Sequence, residues 1–352
     1  MGGGGAERQL TYLAAELACA GWTVHVAVAR RGPNWDRLVD SGAVVHELPL
    51  RGAYDWRGLG AVRRVVREVR PDILQVWLFQ MEVLGGIAAV ASRTPWIFSE
   101  RASAQAYPPG VKNVVRRGMA RLATAVVSNS AAGDAYWSGI AARRFVVPNG
   151  IPFAEIDATP NATGDARPGV HGRPLVLFAG RFEAQKNIRT LLAAFDILLA
   201  RHDVQGVCCG EGPLRGEADA WARARAANGK AVVRGYLSNL WAVMKSAAVF
   251  VSPALFEGSP NVVLEAMACG VPLVVSDIPE HRELLDESSA LLVRPEAATD
   301  LAEAIAAVLG DPISARARAV VARDRAASYS LSAVAQRYDD VYRQILGARG
   351  RP

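Results

Sequence analysis

Cysteine is scarce: Cys19, Cys208, Cys209 and Cys269 are the only four in 352 residues. They lie in apolar stretches, two are adjacent, and none has the paired spacing of a zinc site. That excludes a disulfide framework and predicts reduced, buried thiols in a cytoplasmic protein. No apolar run of 18 or more residues is free of charge, which excludes a membrane-spanning helix. The first residues, Met-Gly-Gly-Gly-Gly-Ala-Glu-Arg, lack the apolar core of a secretory signal. Asp-x-Asp pairs and histidine clusters are missing, so no residue pattern argues for a metal. Aromatic stacking motifs and recognition-helix signatures are missing too, which argues against a nucleic-acid binder.

What is present is apolar bulk and an uneven charge. Hydrophobic residues make up 51% of the chain, enough for two domains. The net charge of +6 is not spread evenly. Residues 1–150 carry 18 Lys/Arg against 11 Asp/Glu, and the remainder carries 22 against 23. A basic first half suits an anionic partner such as phosphate or an acidic membrane.

Helix and strand patterns alternate along the chain, which predicts parallel α/β layers. In the first half, strands are expected at 23–29, 73–77, 96–99, 126–129 and 145–148, with helices at 11–20, 59–69 and 81–91. Residues 152–173, rich in Pro, Gly and small polar groups, read as a linker. Strands then resume at 175–179, 205–209, 231–234, 249–251, 273–276 and 290–293, and the helices between them end with 300–309. The pattern predicts two similar-sized α/β domains, 1–150 and 151–330, with a ligand cleft as the natural consequence. A final amphipathic helix falls within 331–352 and is expected to pack across to the first domain.

The most informative stretch is Glu257-Gly-Ser-Pro-Asn-Val-Val-Leu-Glu265, between an apolar strand and a helix. A helix start carries unpaired N–H groups and partial positive charge, so it favours phosphate. Gly258 and Ser259 let the backbone approach a ligand, and Pro260 suits a first helical position. Glu265 would lie more than one turn in, where a carboxylate can accept both hydroxyls of a ribose. Glu257 ends a strand at the carboxyl edge, where open α/β sheets bind ligands. Taken alone, the stretch is equally a capped helix with two surface acids.

Four motifs occur together in order: Gly2–Arg8, Val147-Pro-Asn-Gly150, Gly180-Arg-Phe-Glu-Ala-Gln-Lys-Asn187, and Glu257–Glu265. With Gly210-Glu-Gly-Pro213 and Glu265–Pro272, they make the chain resemble the retaining glycosyltransferases of family 4, of bacterial polysaccharide or glycolipid type. That resemblance implies the GT-B fold, with an acceptor-side Rossmann-like domain at 1–150 and a donor-binding one at 151–330, and no metal or cofactor. It implies a hexosyltransferase, retaining and metal-independent, moving a sugar from a nucleotide diphosphate to a glycan or lipid-linked acceptor in cell-surface polysaccharide synthesis. A UDP-sugar is expected over a GDP-sugar. Arg181 and Lys186 match the pair that binds the donor diphosphate, Glu265 the acid on the ribose, and Glu257 the acid near the transferred sugar. Gly258, Ser259, Pro260, Asn261 and Val262 would present backbone to sugar and phosphate, and Gly3, Gly4 and Gly5 would meet the same donor from the other domain.

Two departures stand out. The family begins with an apolar strand before the glycine loop, yet Met1 falls where that strand should already have ended. The first strand is therefore expected to be missing, which predicts either a longer natural N-terminus or an unstable protein. Where relatives place a histidine after the strand at 96–99, this chain has Ser99-Glu100-Arg101. Glu100 then becomes a candidate catalytic or acceptor-side group and Arg101 a phosphate contact, the alternative being an exposed ion pair. Gln75, Trp77 and Gln80 replace a histidine-rich stretch of the relatives.

Val111–Ala123 is basic and amphipathic, with Val111, Val114, Val115, Met119 and Leu122 on one face and Lys112, Arg116, Arg117 and Arg121 around the other. That suits peripheral binding to the anionic inner face of the cytoplasmic membrane; a helix docked on its own sheet is the alternative. An inactive or truncated nucleotide-sugar-binding homologue, and a nucleotide-sugar epimerase on the same fold, are the competing functions.

Overall fold

The computed structural model describes residues 4–50, 52, 55, 57–102, 109–141, 143–164, 168–169, 172–225 and 229–347. The chain divides into two compact units, Met1–Gly150 with Tyr329–Pro352, and Ile151–Ser328.

The first unit opens with α1 (Gly5–Cys19), β1 (His25–Val28), α2 (Trp35–Val39), β2 (Val44–Glu47), α3 (Gly58–Val69) and β3 (Leu74–Trp77). It continues with α4 (Phe79–Ser92), β4 (Trp96–Glu100), α5 (Val111–Leu122), β5 (Ala125–Ser128), α6 (Ala131–Ala135) and β6 (Arg144–Val146). Among the described residues its strands form two separate parallel sheets, β1-β2 and β3-β4-β5-β6.

The second unit contains α7 (Phe153–Ala158), β7 (Leu175–Ala179), α8 (Ile188–Arg201), β8 (Gln205–Cys209), α9 (Arg215–Arg223), β9 (Ala231–Arg234) and α10 (Leu240–Lys245). Then come β10 (Val249–Ser252), α11 (Asn261–Cys269), β11 (Leu273–Ser276), α12 (Pro279–Arg282), β12 (Leu291–Val293), α13 (Ala298–Gly310) and α14 (Pro312–Ala326). Six parallel strands join in one sheet, ordered β12-β11-β10-β7-β8-β9. Numbered within the unit, this is the doubly wound order 3-2-1-4-5-6 read from the far edge, with β7 as the central first strand. All five β7 residues are buried, as a strand covered by helices on both faces requires.

The closing helix α15 (Leu331–Gly347) belongs to the first unit. Tyr338, Val341 and Ile345 share a core with Leu13 and Leu17 of α1 and Ile97 and Val127 of β4 and β5. Trp22 Nε1 donates to Asp339 at 2.7 Å, and the Tyr342 hydroxyl bonds Gln75 of β3.

Several expectations need correction. The stretch 152–173 is not wholly a linker: it contains α7, whose Ile156 is fully buried. Lys245 caps the end of α7 by donating to the carbonyls of Ile156 and Thr159 at 2.5 and 2.6 Å. Helix α14 had no apolar stripe to announce it, because its inward face is Ala315, Ala319, Ala322 and Ala326 among arginines. Cys19 is exposed, at the last residue of α1, while Cys208, Cys209 and Cys269 are buried as expected. Burial pushes the Cys209 and Cys269 thiols up to about 12, which keeps them inert.

Candidate active site

The second unit gathers its candidate groups at the carboxyl edge of its sheet. β7 ends at Gly180, and the chain turns through Arg181 into a single 3-10 turn, Ala184–Lys186. Asn187 then adopts a left-handed conformation at φ 55° and starts α8. Its side chain secures the turn by donating to the carbonyls of Pro253 at 3.2 Å and Pro295 at 2.6 Å. Gly210, after β8, is where glycine is obligatory. Its φ is 149°, and a Cβ there would sit 1.9 Å from the Gly180 carbonyl oxygen.

This frame brings Lys186 onto Glu257. Lys186 Nζ bonds Glu257 Oε1 directly, and Gln185 Nε2 donates to the Phe256 carbonyl at 2.9 Å and more loosely to Glu257 Oε2 at 3.4 Å. Glu257 is 4% exposed, and the Lys186 ammonium is its ion-pair partner. Arg181, by contrast, is 74% exposed along its side chain and forms an ion pair with Glu183 at 3.2 Å.

Helix α11 begins one residue later than Pro260 suggested. Pro260 precedes it, and its carbonyl accepts the Val263 and Leu264 N–H groups at 2.9 and 3.1 Å. Gly258 and Ser259 form the bend between Glu257 and the helix, and Asn261 and Val262 are its first two residues. Glu265 lies past the first turn, 5% exposed, with Oε2 accepting from Trp241 Nε1 of α10 at 3.0 Å.

Two groups beneath this wall were not singled out in the sequence. Glu280 and His281 stand on α12, directly after β11, and both are buried. Burial pushes the Glu280 pKa up, against the opposing influence of nearby backbone N–H groups, its own and that of Glu257. His281 Nδ1 lies 2.8 Å from the Ser276 carbonyl, which fixes the proton on Nδ1 and leaves Nε2 as an acceptor. Burial lowers the His281 pKa, against the raising influence of nearby Glu257. The readable signal was Ser276-Asp-Ile-Pro-Glu-His281, polar residues following a buried strand.

The first unit uses its candidates differently. Glu100 is fully buried at the end of β4. It accepts the N–H groups of Arg101 and Ala102 at 2.7 and 2.8 Å, Trp137 Nε1 at 2.9 Å and Arg116 Nη2 at 3.3 Å. Arg116 in turn holds Glu82 of α4 by two bonds, at 2.6 and 2.9 Å. Both carboxylates are thus enclosed by protein donors, and the exposed ion pair entertained for Glu100 is instead an internal one. Arg101 stacks its guanidinium 4.3 Å from the Trp77 ring centroid and bonds Asn149 and the Tyr338 hydroxyl. Gln75 donates to Ser99 Oγ at 2.8 Å and Gln80 to the Gly52 carbonyl at 3.0 Å. Gly4 precedes α1 and Gly5 is its first residue, whereas Gly3 lies outside the described residues.

Helix α5 is turned opposite to the expected sense for two groups. Arg116 is buried, and Met119 and Ala120 line the inner face with it. Val111 is 81%, Val114 69% and Leu122 59% exposed. The outward face therefore mixes bare valines and leucine with Lys112 and Arg121.

The sequence carries matching signatures in both units. A family model for Glycosyltransferase Family 4 matches residues 3–155, and one for Glycosyl transferases group 1 matches residues 173–311. The chain belongs to the family 4 glycosyltransferases. An alpha-D-kanosaminyltransferase of Streptomyces kanamyceticus is 29% identical over 184 residues, covering 51% of this chain and 48% of that protein. A phosphatidyl-myo-inositol mannosyltransferase of Mycolicibacterium smegmatis is 33% identical over 214 residues, covering 57% and 52%. The match thus spans about half the length of these curated relatives. The crystal structure of HepE from Anabaena in complex with UDP superposes with a TM-score of 0.80 at 17% identity, covering 96% of each chain. The fold is GT-B, with two Rossmann-like domains. Among the described residues no helix is long and apolar enough to cross a membrane.

Proposed function

We propose that this glycosyltransferase moves a sugar from a UDP-sugar to a glycan or lipid-linked acceptor, with retention of configuration, in cell-surface polysaccharide synthesis. The observation that carries the reading is the Lys186–Glu257 pair at the start of the α11 segment, with Arg181 exposed on the turn before it.

The donor diphosphate carries the charge that must be stabilised as it leaves. Arg181 and Lys186 supply two cations, so the charge is neutralised by side chains in place of a metal ion. The Gly258–Val262 backbone at the α11 start adds the favourable end of a helix dipole. Glu265, which holds the Trp241 indole, is the carboxylate that the ribose hydroxyls would meet. Departure of the diphosphate ahead of acceptor attack gives a loose, oxocarbenium-like path. Attack from the same face, with a donor phosphate oxygen taking the acceptor proton, retains the anomeric configuration. Glu257, held by Lys186, stands near the transferred sugar.

On the acceptor side, Arg101 at the end of β4 is the cation suited to an acceptor phosphate. Glu100 holds that corner of the unit together through Arg116, Trp137 and two backbone N–H groups, and positions Arg101. The exposed apolar and basic face of α5 suits the anionic inner face of the cytoplasmic membrane, where a lipid-linked acceptor would lie. One relative, the phosphatidyl-myo-inositol mannosyltransferase of Mycolicibacterium smegmatis, is named for a lipid acceptor.

A thermal-shift panel tests the donor. UDP and UDP-sugars should raise the melting temperature by mass action, while GDP and ADP should not. Donor hydrolysis should persist in excess chelator. If no nucleotide shifts the transition, the reading fails; if GDP alone does, the base assignment fails.

A further inference from the structure

Helix α11 carries Glu265 and Cys269 four residues apart, on one face. Trp241, the second residue of α10, meets both. Its indole Nε1 donates to Glu265 Oε2 at 3.0 Å, and its carbonyl accepts the Cys269 thiol at 3.9 Å. One residue thus grips two successive turns of α11.

The support behind Trp241 is firm. Ala242, Val243 and Met244 of α10 are buried. The Ala242 carbonyl accepts the Ala162 N–H at 2.9 Å, and Lys245 is tied to the end of α7. An indole is a rigid ring with one donor, so an anchored backbone leaves its N–H little freedom. A glutamate carboxylate has a broad final torsion and turns easily unless something holds it. The Trp241 bond holds it. Glu265 is 5% exposed, so water competes little for that bond.

Indole–carboxylate bonds recur elsewhere in this fold: Trp22 with Asp339, Trp137 with Glu100 and Trp221 with Asp196, at 2.7, 2.9 and 2.8 Å. In each of these the carboxylate also holds an arginine, Arg343, Arg116 or Arg225. The Trp241 bond differs in place, because its carboxylate stands on the helix proposed to receive the donor.

A carboxylate matches a vicinal diol only when its plane is turned toward both hydroxyls. Each of its oxygens has two lone pairs, so Oε2 can serve the indole and a hydroxyl together. A donor lacking the hydroxyls would leave those hydrogen bonds to a charged group unmade, at a cost of about tenfold or more in affinity.

We propose that Trp241 is a positioning residue for donor selection. It sets the plane of the Glu265 carboxylate, so that the site takes ribonucleotide donors and rejects those without 2′ and 3′ hydroxyls. The inference rests on the reading of Glu265 as the ribose acid.

Calorimetry with UDP and 2′,3′-dideoxy-UDP tests it on the full chain, on Trp241→Phe and on Trp221→Phe. The unaltered chain should bind UDP at least about tenfold more tightly than the dideoxy compound. Trp241→Phe should bring the two within about threefold by weakening UDP alone. Trp221→Phe removes the same kind of bond between α8 and α9 and should keep the ratio. A ratio retained in Trp241→Phe, an equal weakening of both ligands, or a ratio lost in Trp221→Phe as well overturns the proposal and leaves the donor reading standing. Equal binding of both ligands by the unaltered chain overturns the role of Glu265 and this proposal with it. No binding of either overturns the donor reading itself, and the proposal falls too. If Trp241→Phe fails to fold, the unaltered chain decides by nuclear magnetic resonance. The Trp241 indole N–H should slow its exchange with UDP but not with the dideoxy compound, and an equal response to both would contradict the proposal.

Discussion

The two units arrange their parallel strands differently. In the second, β7 sits at the centre of six parallel strands, and Gly180, Arg181 and Lys186 follow its carboxyl end. In the first, the strands among the described residues form two sheets, and an 880 Å³ cavity is lined by both. Their buried acids differ too. Glu100 accepts from two backbone N–H groups, the Trp137 indole and Arg116, and Arg116 also holds Glu82 by two bonds. Glu257 is paired to Lys186, beyond the end of a strand. A carboxylate enclosed by indole, guanidinium and backbone donors is suited to holding structure; under the proposed function, the Lys186–Glu257 pair is the one a diphosphate would meet.

Four substitutions sharpen this contrast. The largest effect should come from Arg116→Met, which leaves Glu82 and Glu100 buried without their cation. We expect a loss of about 3–5 kcal/mol, confined to the first unit's transition in urea unfolding. Loss from the second unit's transition instead would show that the Arg116 network is not where the stability lies. Next, Gly210→Ala forces a Cβ onto the Gly180 carbonyl at a φ of 149°. It should cost about 2–4 kcal/mol and destabilise only the second unit.

Lys186→Met should act on binding more than on folding. Removing one charged donor from the diphosphate should weaken UDP affinity by about 10- to 100-fold, measured by calorimetry. An equal weakening from Arg101→Met would break the assignment of the donor to the second unit. The smallest effect is that of His281→Gln on pH dependence. The folded-state pKa of His281 lies below its ordinary value because the ring is buried. The unfolded chain therefore binds that proton first, so stability is full above about pH 6.5 and falls as pH drops below it. The glutamine variant should show a shallower fall in melting temperature from pH 6.5 to 5; an unchanged slope would place the titration elsewhere.

Much of this was legible in the sequence, for reasons that differ by residue. Strand β7 is an uninterrupted apolar run, as a buried parallel strand must be. The Glu257–Glu265 stretch was legible because a strand end, a glycine bend and a helix start are local features, whereas Lys186 was singled out only through the family resemblance. Helix α14 was not, since its buried alanines leave no hydrophobic stripe between arginines. Strand β2 was not, because its burial is only partial at a sheet edge. The inward turn of Arg116 was beyond the sequence altogether. Helical periodicity put it with the basic residues, and only Glu82 and Glu100, 34 and 16 positions away, explain its burial. His281 and Glu280 escaped for a related reason: their significance lies in proximity to Glu257, not in their spacing.

Hydrogen exchange with and without UDP tests the central claim most directly. The account predicts slowed exchange at Gly180–Lys186 and across Glu257–Glu265, with β7 already protected and α5 unchanged. Unchanged exchange in both second-unit segments at saturating UDP would contradict the assignment of the donor to this wall.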